Sequence, residues 1–92
     1  MNKYRKGADF ERDIQDLYES LGASVIRSSG SHGSADLVIL IGRQIILAQC
    51  QTNDYFPPAK IEALKELAKK HDAVALLIWK QEKQIVSKTV YP

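Results

Sequence analysis

Apolar positions along this chain change period several times, and each change marks an element. Phe10, Ile14, Leu17 and Leu21 recur at spacings of 4, 3 and 4, which draws one apolar stripe on a first helix. Gly22 ends that helix. Ala23 to Ser28 reads as a strand, and Ser29 to Ser34 as a small polar loop of Ser, Gly and His. Asp36 to Ile41 is a continuous apolar strand, Gly42-Arg43-Gln44 the turn of a hairpin, and Ile45 to Gln51 the partner strand, interrupted by two glutamines. Asn53 to Pro58 is a loop whose prolines lead into a second helix. On that helix Ile61, Leu64, Leu67 and Ala68 share a face, while Lys60, Glu62, Lys65, Glu66, Lys69 and Lys70 lie mostly on the others. Ala73 to Trp79 is strongly apolar and predicts a strand in the centre of the sheet; Gln84 to Val90 alternates weakly and suits an edge.

The order is α-β-β-β-α-β-β. It predicts an α/β fold, a central mixed five-stranded sheet flanked by two helices, with residues 1–92 as a single domain. The strand–helix–strand connection near residues 51–73 predicts a right-handed crossover. No repeat or low-complexity tract breaks the pattern.

Composition narrows the class. Hydrophobic residues make up 45% and charged residues 26%, as in ordinary globular domains. No apolar run reaches the ~18 residues that would span a bilayer. The start is polar and basic without an apolar signal core, so a cytoplasmic protein with no membrane contact is expected. The single cysteine, Cys50, excludes an internal disulfide and a multi-cysteine zinc site. The net charge is +2, with Lys3, Arg5 and Lys6 ahead of any acid, Arg12 soon after, and Lys80, Lys83 and Lys88 near the other end. Two basic ends suit a clamp on a phosphate backbone, and equally suit solvated surface charge.

Candidate chemistry centres on four positions. Asp36 opens a strand directly after the polar loop. Gln49 and Gln51, two apart on the neighbouring strand, point to one face of the sheet. Glu11 lies early on the first helix, beside the apolar stripe. One strand carboxylate, oxygen side chains next to it and a helix glutamate make an oxygen-rich site of the kind that holds Mg²⁺ or Mn²⁺. A phosphodiesterase needs such a cation, to lower the pKa of a bound water and to neutralise charge growing on phosphorane oxygens. Spacing alone leaves a second reading open, in which Asp36 caps a strand start and the glutamines are buried amides bonded to backbone.

A resemblance adds to this. Tyr4-Arg5-Lys6-Gly7-Ala8-Asp9-Phe10-Glu11-Arg12 resembles the opening of the archaeal-type Holliday junction resolvases, a branch of the PD-(D/E)xK nuclease superfamily with a restriction-endonuclease-like fold. Val25-Ile26-Arg27-Ser28-Ser29-Gly30-Ser31 is similar to the next family block, and Asp36-Leu37-Val38 follows at about the right distance. The match runs from Tyr4 to roughly Thr52. It implies a structure-specific endodeoxyribonuclease that resolves four-way DNA junctions with Mg²⁺ or Mn²⁺. It also implies catalytic roles for Glu11, Ser31, Asp36, Gln49 and Gln51, and phosphate contacts by Arg5, Lys6, Arg12 and Arg27, whose guanidinium forks suit phosphate oxygens. Glu11, Asp36, Gln49 and the Cys50 carbonyl are the implied cation ligands. Arg27 also admits a reading as a strand-end cation paired with an acid, and Arg12 one as a helical pair with Asp16.

The chain departs from the family on the third strand, where Glu-x-Lys becomes Gln49-Cys50-Gln51. The Gln49 amide oxygen still ligates a cation, without the charge. Gln51 cannot supply the lysine's positive charge, a contribution typically worth ~3–4 kcal/mol. Three possibilities stay open: Gln51 orients water while the metal supplies charge; Lys60 or Lys65 of the second helix takes the lysine's part; or the chain is a weakened nuclease that binds branched DNA. Cys50 reads as a small core residue, His32 as a solvated loop residue and His71 as a favourable cation at a helix C-terminus. Two matched nicks on a two-fold junction imply a homodimer, with Tyr55-Phe56-Pro57-Pro58, Ala73 to Trp79 and Val90-Tyr91 as candidate interface. Small size and the altered motif suit a virus-encoded resolvase acting in its host's cytoplasm.

Overall fold

The computed structural model describes residues 3–28 and 33–92, with side chains from residue 7 onward. Helix α1 spans Lys3–Ser20 and is followed by β1 (Ser24–Arg27), β2 (Leu37–Ile41), β3 (Gln44–Gln51), α2 (Pro58–Lys70), β4 (Val74–Gln81) and β5 (Gln84–Tyr91). The five strands form one sheet in the order β1-β2-β3-β4-β5. Strands β3 and β4 are parallel and the other neighbours antiparallel, so the sheet is mixed as expected. The parallel pair follows from the α2 connection, because parallel neighbours need a crossover. Strands β1, β3 and β4 therefore finish, and β2 and β5 begin, at the same end of the sheet.

The middle strand is β3, not the Ala73–Trp79 segment. Strand β4 lies one place from the edge, and its apolar run has a different cause: both of its faces are covered. Leu76 and Ile78 join Phe10, Ile14, Leu37, Ile39, Ala48 and Cys50 in the cluster under α1. Ala75 and Leu77 join Leu47, Phe56, Leu64 and Ala68 in the cluster under α2. Phe56 meets Trp79 edge-on, with ring centroids 6.1 Å apart.

The α1 stripe differs from the expected one. Phe10 and Ile14 are buried and Tyr18 packs against their cluster, whereas Leu17 is 42% and Leu21 62% exposed. The buried row follows spacings of four, and Leu21 falls beyond the last helical turn. There Ala23 N–H donates to Tyr18 O at 3.1 Å, Gly22 N–H donates to Glu19 O at 3.1 Å, and Gly22 takes φ +94°. This is a Schellman cap, which needs a left-handed residue after the helix. The β4–β5 turn is Glu82-Lys83, both at positive φ (50° and 67°), as a two-residue turn of type I′ requires. It contains no Gly or Asn, so its composition hides it.

Helix α2 packs on β3, β4 and β5. The expected interface segments are mostly spent on this packing: Phe56 is buried, β4 is interior, and Val90 and Tyr91 lie against the α2 cluster. Of the expected interface segments Tyr55 stays open, and the other open apolar side chains are Ile26, Leu40 and Ile45, besides the two leucines of α1. Among the described residues no helix is long and apolar enough to cross a membrane.

Ile14→Ala is expected to lower stability by about 2–5 kcal/mol, because Ile14 is fully buried. Leu21→Ala should move it by no more than ~0.5 kcal/mol. Urea denaturation of the two variants checks which residues of the helix form the core stripe.

Candidate active site

The site lies where β2 begins. Asp36 N–H donates to Ala48 O at 2.8 Å, although Ala48 stands opposite Leu37 in the ladder. Two residues at the head of β2 thus address one residue of β3, the arrangement of a β-bulge, which re-aims side chains. The Asp36 carboxylate then accepts the Cys50 N–H at 2.8 Å. It replaces the ladder partner that β2, having begun too late, cannot offer. Within a strand the N–H and C=O of one residue point the same way, so the Cys50 carbonyl also faces this gap.

Gln49 is 3% exposed. Its Nε2 donates to the Ser34 backbone carbonyl at 2.6 Å. A carbonyl only accepts, so this contact fixes the amide orientation and makes Oε1 the acceptor end of the side chain. Alternation along β3 sets Gln49 and Gln51 on the side of Leu47, under α2, and Cys50 on the side of α1. Glu11 comes from α1. The predicted site residues therefore straddle the end of the sheet, and Asp36, held in the strand plane, links its two sides.

Glu11 lies near enough to Asp36 to feel its charge, and Arg27 from the end of β1 pairs with Glu11. The guanidinium Nη2 lies 3.7 Å from Glu11 Oε1 and donates to Ala8 O at 3.4 Å. Burial pushes the Glu11 pKa above its ordinary value; the Asp36 charge adds to this and Arg27 opposes it. Burial, and then the Asp36 and Glu11 charges, also push the Cys50 thiol far up. Cys50 is therefore a neutral core residue, as its sequence context implies. Its backbone, not its sulfur, faces the site.

Other candidates fall elsewhere. Ser31 and His32 lie outside the described residues, and Arg5 and Lys6 belong to α1 with their side chains outside them. Arg12 is exposed and pairs with Asp9 at 3.9 Å, one turn back, and not with Asp16. Lys65 is held by Glu62 at 3.6 Å, and Lys60 is exposed on the first turn of α2. His71 is the C-cap of α2 through its backbone N–H. The C-terminal lysines split. Lys80 lies under α1, 5.8 Å from the centre of the Phe10 ring, and shares a cleft with Lys83, Thr52, Asp9 and Asp13 at the site end of the sheet. Lys88, paired with Leu77, faces the α2 side.

Among the described residues no three His, Cys, Asp or Glu side chains gather to hold a metal. The donor set expected from the sequence is two carboxylates, one amide oxygen and one backbone carbonyl. That all-oxygen set, with water and a phosphate completing the shell, fits Mg²⁺ or Mn²⁺ and not a soft metal.

A mixed sheet of this topology, with one acid at the head of β2 and a second delivered by α1, defines a restriction-endonuclease-like nuclease fold. Residues 2–91 match the family model for the archaeal Holliday junction resolvase (Hjc), and the chain belongs to that family. It is 42% identical over 52 residues to the crossover junction endodeoxyribonuclease Hjc of Methanocaldococcus jannaschii, covering 56% of this chain and 38% of the relative. The chain thus spans less than half the length of that protein. The solved structure of Archaeoglobus fulgidus Hjc, a Holliday junction resolvase, superimposes with a TM-score of 0.79 at 24% identity, over 91% of this chain and 77% of that one.

A pKa raised in the folded state means that the fold holds the Glu11 proton more tightly than the unfolded chain does. The associated stability is full below the unfolded value of 4.5 and is lost as pH rises through the folded value. In metal-free protein, the thermal midpoint of Glu11→Gln relative to wild type is therefore expected to climb as pH rises through that window. A difference that stays constant with pH would contradict the burial assigned to Glu11.

Proposed function

We propose that this chain resolves four-way DNA junctions by metal-dependent phosphodiester hydrolysis, acting as a homodimer. The observation that carries the reading is Asp36 fixed at the gap between β2 and β3, with Glu11 of α1 near enough to feel its charge, in a chain matched to the resolvase family along nearly its whole length. Glu11, Asp36, Gln49 Oε1 and the Cys50 carbonyl would hold the cation. A bound Mg²⁺ or Mn²⁺ supplies Lewis acidity to a water and to the scissile phosphate.

The remaining work belongs to the protein. Asp36 is fixed by the Cys50 N–H and cannot swing away. Gln51 is half-buried at the end of β3, where its amide orients water. Ser31, on the preceding loop, contacts the scissile region. Arg27, Arg12, Arg5 and Lys6 are the proposed phosphate contacts, and Lys80 and Lys83 add positive charge at the same end of the sheet, so recognition follows junction shape more than base sequence. The second copy supplies the second nick, because one chain carries one site and the junction is two-fold symmetric. The cytoplasm is the proposed place of action. A viral source is not carried forward.

Gln51 favours a second reading. A neutral amide in place of a cation weakens transition-state stabilisation, so the chain holds branched DNA and cuts it slowly or not at all. A labelled four-way junction with Mg²⁺ or Mn²⁺, beside linear duplex of the same sequence, separates the two. Paired symmetric nicks on the junction alone, falling at least ~10²-fold in Asp36→Asn, are expected of the resolvase. Tight binding without cuts would establish the binding protein. Junction affinity should fall steeply with salt in either case.

A further inference from the structure

Arg27 has two connections that its expected role as a phosphate contact does not explain. Its guanidinium is paired with Glu11 at 3.7 Å, and it is tied to the α1 backbone through Ala8 O at 3.4 Å. Both partners of the ion pair are largely shielded, with side-chain exposures of 31% and 24%. Glu11 is the same residue that shares the site with Asp36. The guanidinium therefore engages one of the two carboxylates that would hold a divalent cation. A guanidinium has five N–H donors, and two contacts leave most of them free to reach a further acceptor.

We infer that Arg27 is an exchangeable counter-ion: it balances the Glu11 carboxylate in the cation-free protein, and it leaves Glu11 for a DNA phosphate when Glu11 and Asp36 take up a divalent cation. This rests on the proposed nuclease reading and adds a coupling to it. Two cations cannot share Glu11 without cost, and a phosphate beside the site offers the displaced guanidinium a bidentate partner. DNA and the divalent cation should then each strengthen the binding of the other, by the same factor. In the absence of DNA, Arg27 opposes cation loading. Arg27 is a positioning residue in this scheme: it governs when Glu11 is free.

The test is titration of Mn²⁺ into DNA-free protein by calorimetry, for wild type, Arg27→Gln and Arg27→Lys, with Arg43→Gln as a control for lost charge at the opposite end of the sheet. Circular dichroism confirms that each variant is folded. Arg27→Gln is expected to bind Mn²⁺ more tightly, on the order of tenfold, since a full positive charge near the site is gone. Arg27→Lys should fall between Arg27→Gln and wild type, and Arg43→Gln should match wild type. A second readout is junction affinity with and without Ca²⁺: the enhancement by the cation should shrink in Arg27→Gln. Unchanged or weaker Mn²⁺ binding by folded Arg27→Gln would overturn the inference and leave Arg27 as a strut between β1 and α1. So would a wild type that binds no Mn²⁺. The cleavage assay is independent. A wild type that cuts junctions while Arg27→Gln binds Mn²⁺ no better defeats the exchange alone. A wild type that never cuts, with tighter Mn²⁺ binding in the variant, leaves the exchange standing and removes the resolvase.

Discussion

From Leu47 to Cys50, strand β3 is buried on both faces, and a strand covered in that way must find a partner for every polar group it carries. Two of those groups are satisfied from the segment that precedes β2. The Ser34 carbonyl takes the Gln49 amide, and the Asp36 carboxylate takes the Cys50 N–H. The accounting closes: no buried side-chain N or O among the described residues lacks a partner. The end of the polar loop is thereby sewn to the middle of the sheet. Asp36 is held at a fixed place by the same bond that completes the backbone of β3, so the site is a consequence of the way the ladder ends.

That construction has an electrostatic consequence. Bringing Glu11 beside Asp36 in a half-buried position disfavours ionisation of Glu11, and Arg27 offsets only part of the effect. A pair of acids under such tension stabilises the fold poorly and suits a cation well, which is the usual relation between a strained site and its ligand. The opposite layers of the molecule take no part in this tension. Leu64, Ala68, Ala75 and Leu77 pack together on the α2 side.

Most of the architecture was legible in the sequence. Element order, the mixed sheet, the hairpin at Gly42 and the edge position of β5 all follow from local period and turn residues. The errors have specific causes. Leu21 matches a helical spacing, yet the Gly22 cap turns the chain before it can reach the core. The Ala73–Trp79 run looks central because it is apolar, but burial on two faces requires only a helix on each side, not the middle place. The Glu82-Lys83 turn carries no compositional signal. Phe56 looks like part of an exposed apolar surface with Tyr55, but it inserts beside Trp79 while Tyr55 stays exposed.

The site divides in the same way. By itself the sequence determined which residue types are present: two acids, two amides where the family has Glu and Lys, and arginines in the matching blocks. Period and spacing act within a few residues, so they also determined which element carries each one. Only the tertiary structure decided who meets whom. Glu11, Arg27, Asp36 and Cys50 are separated by 9 to 39 positions and come together because α1 packs across β1 and β3 at the end where β2 starts late. It also decided that Arg27 faces an acid of its own chain, that Arg12 turns to Asp9, and that Lys80 and Lys88 lie on opposite sides of the sheet. Those outcomes depend on distances between segments, which close only when the core does, and no local pattern encodes them.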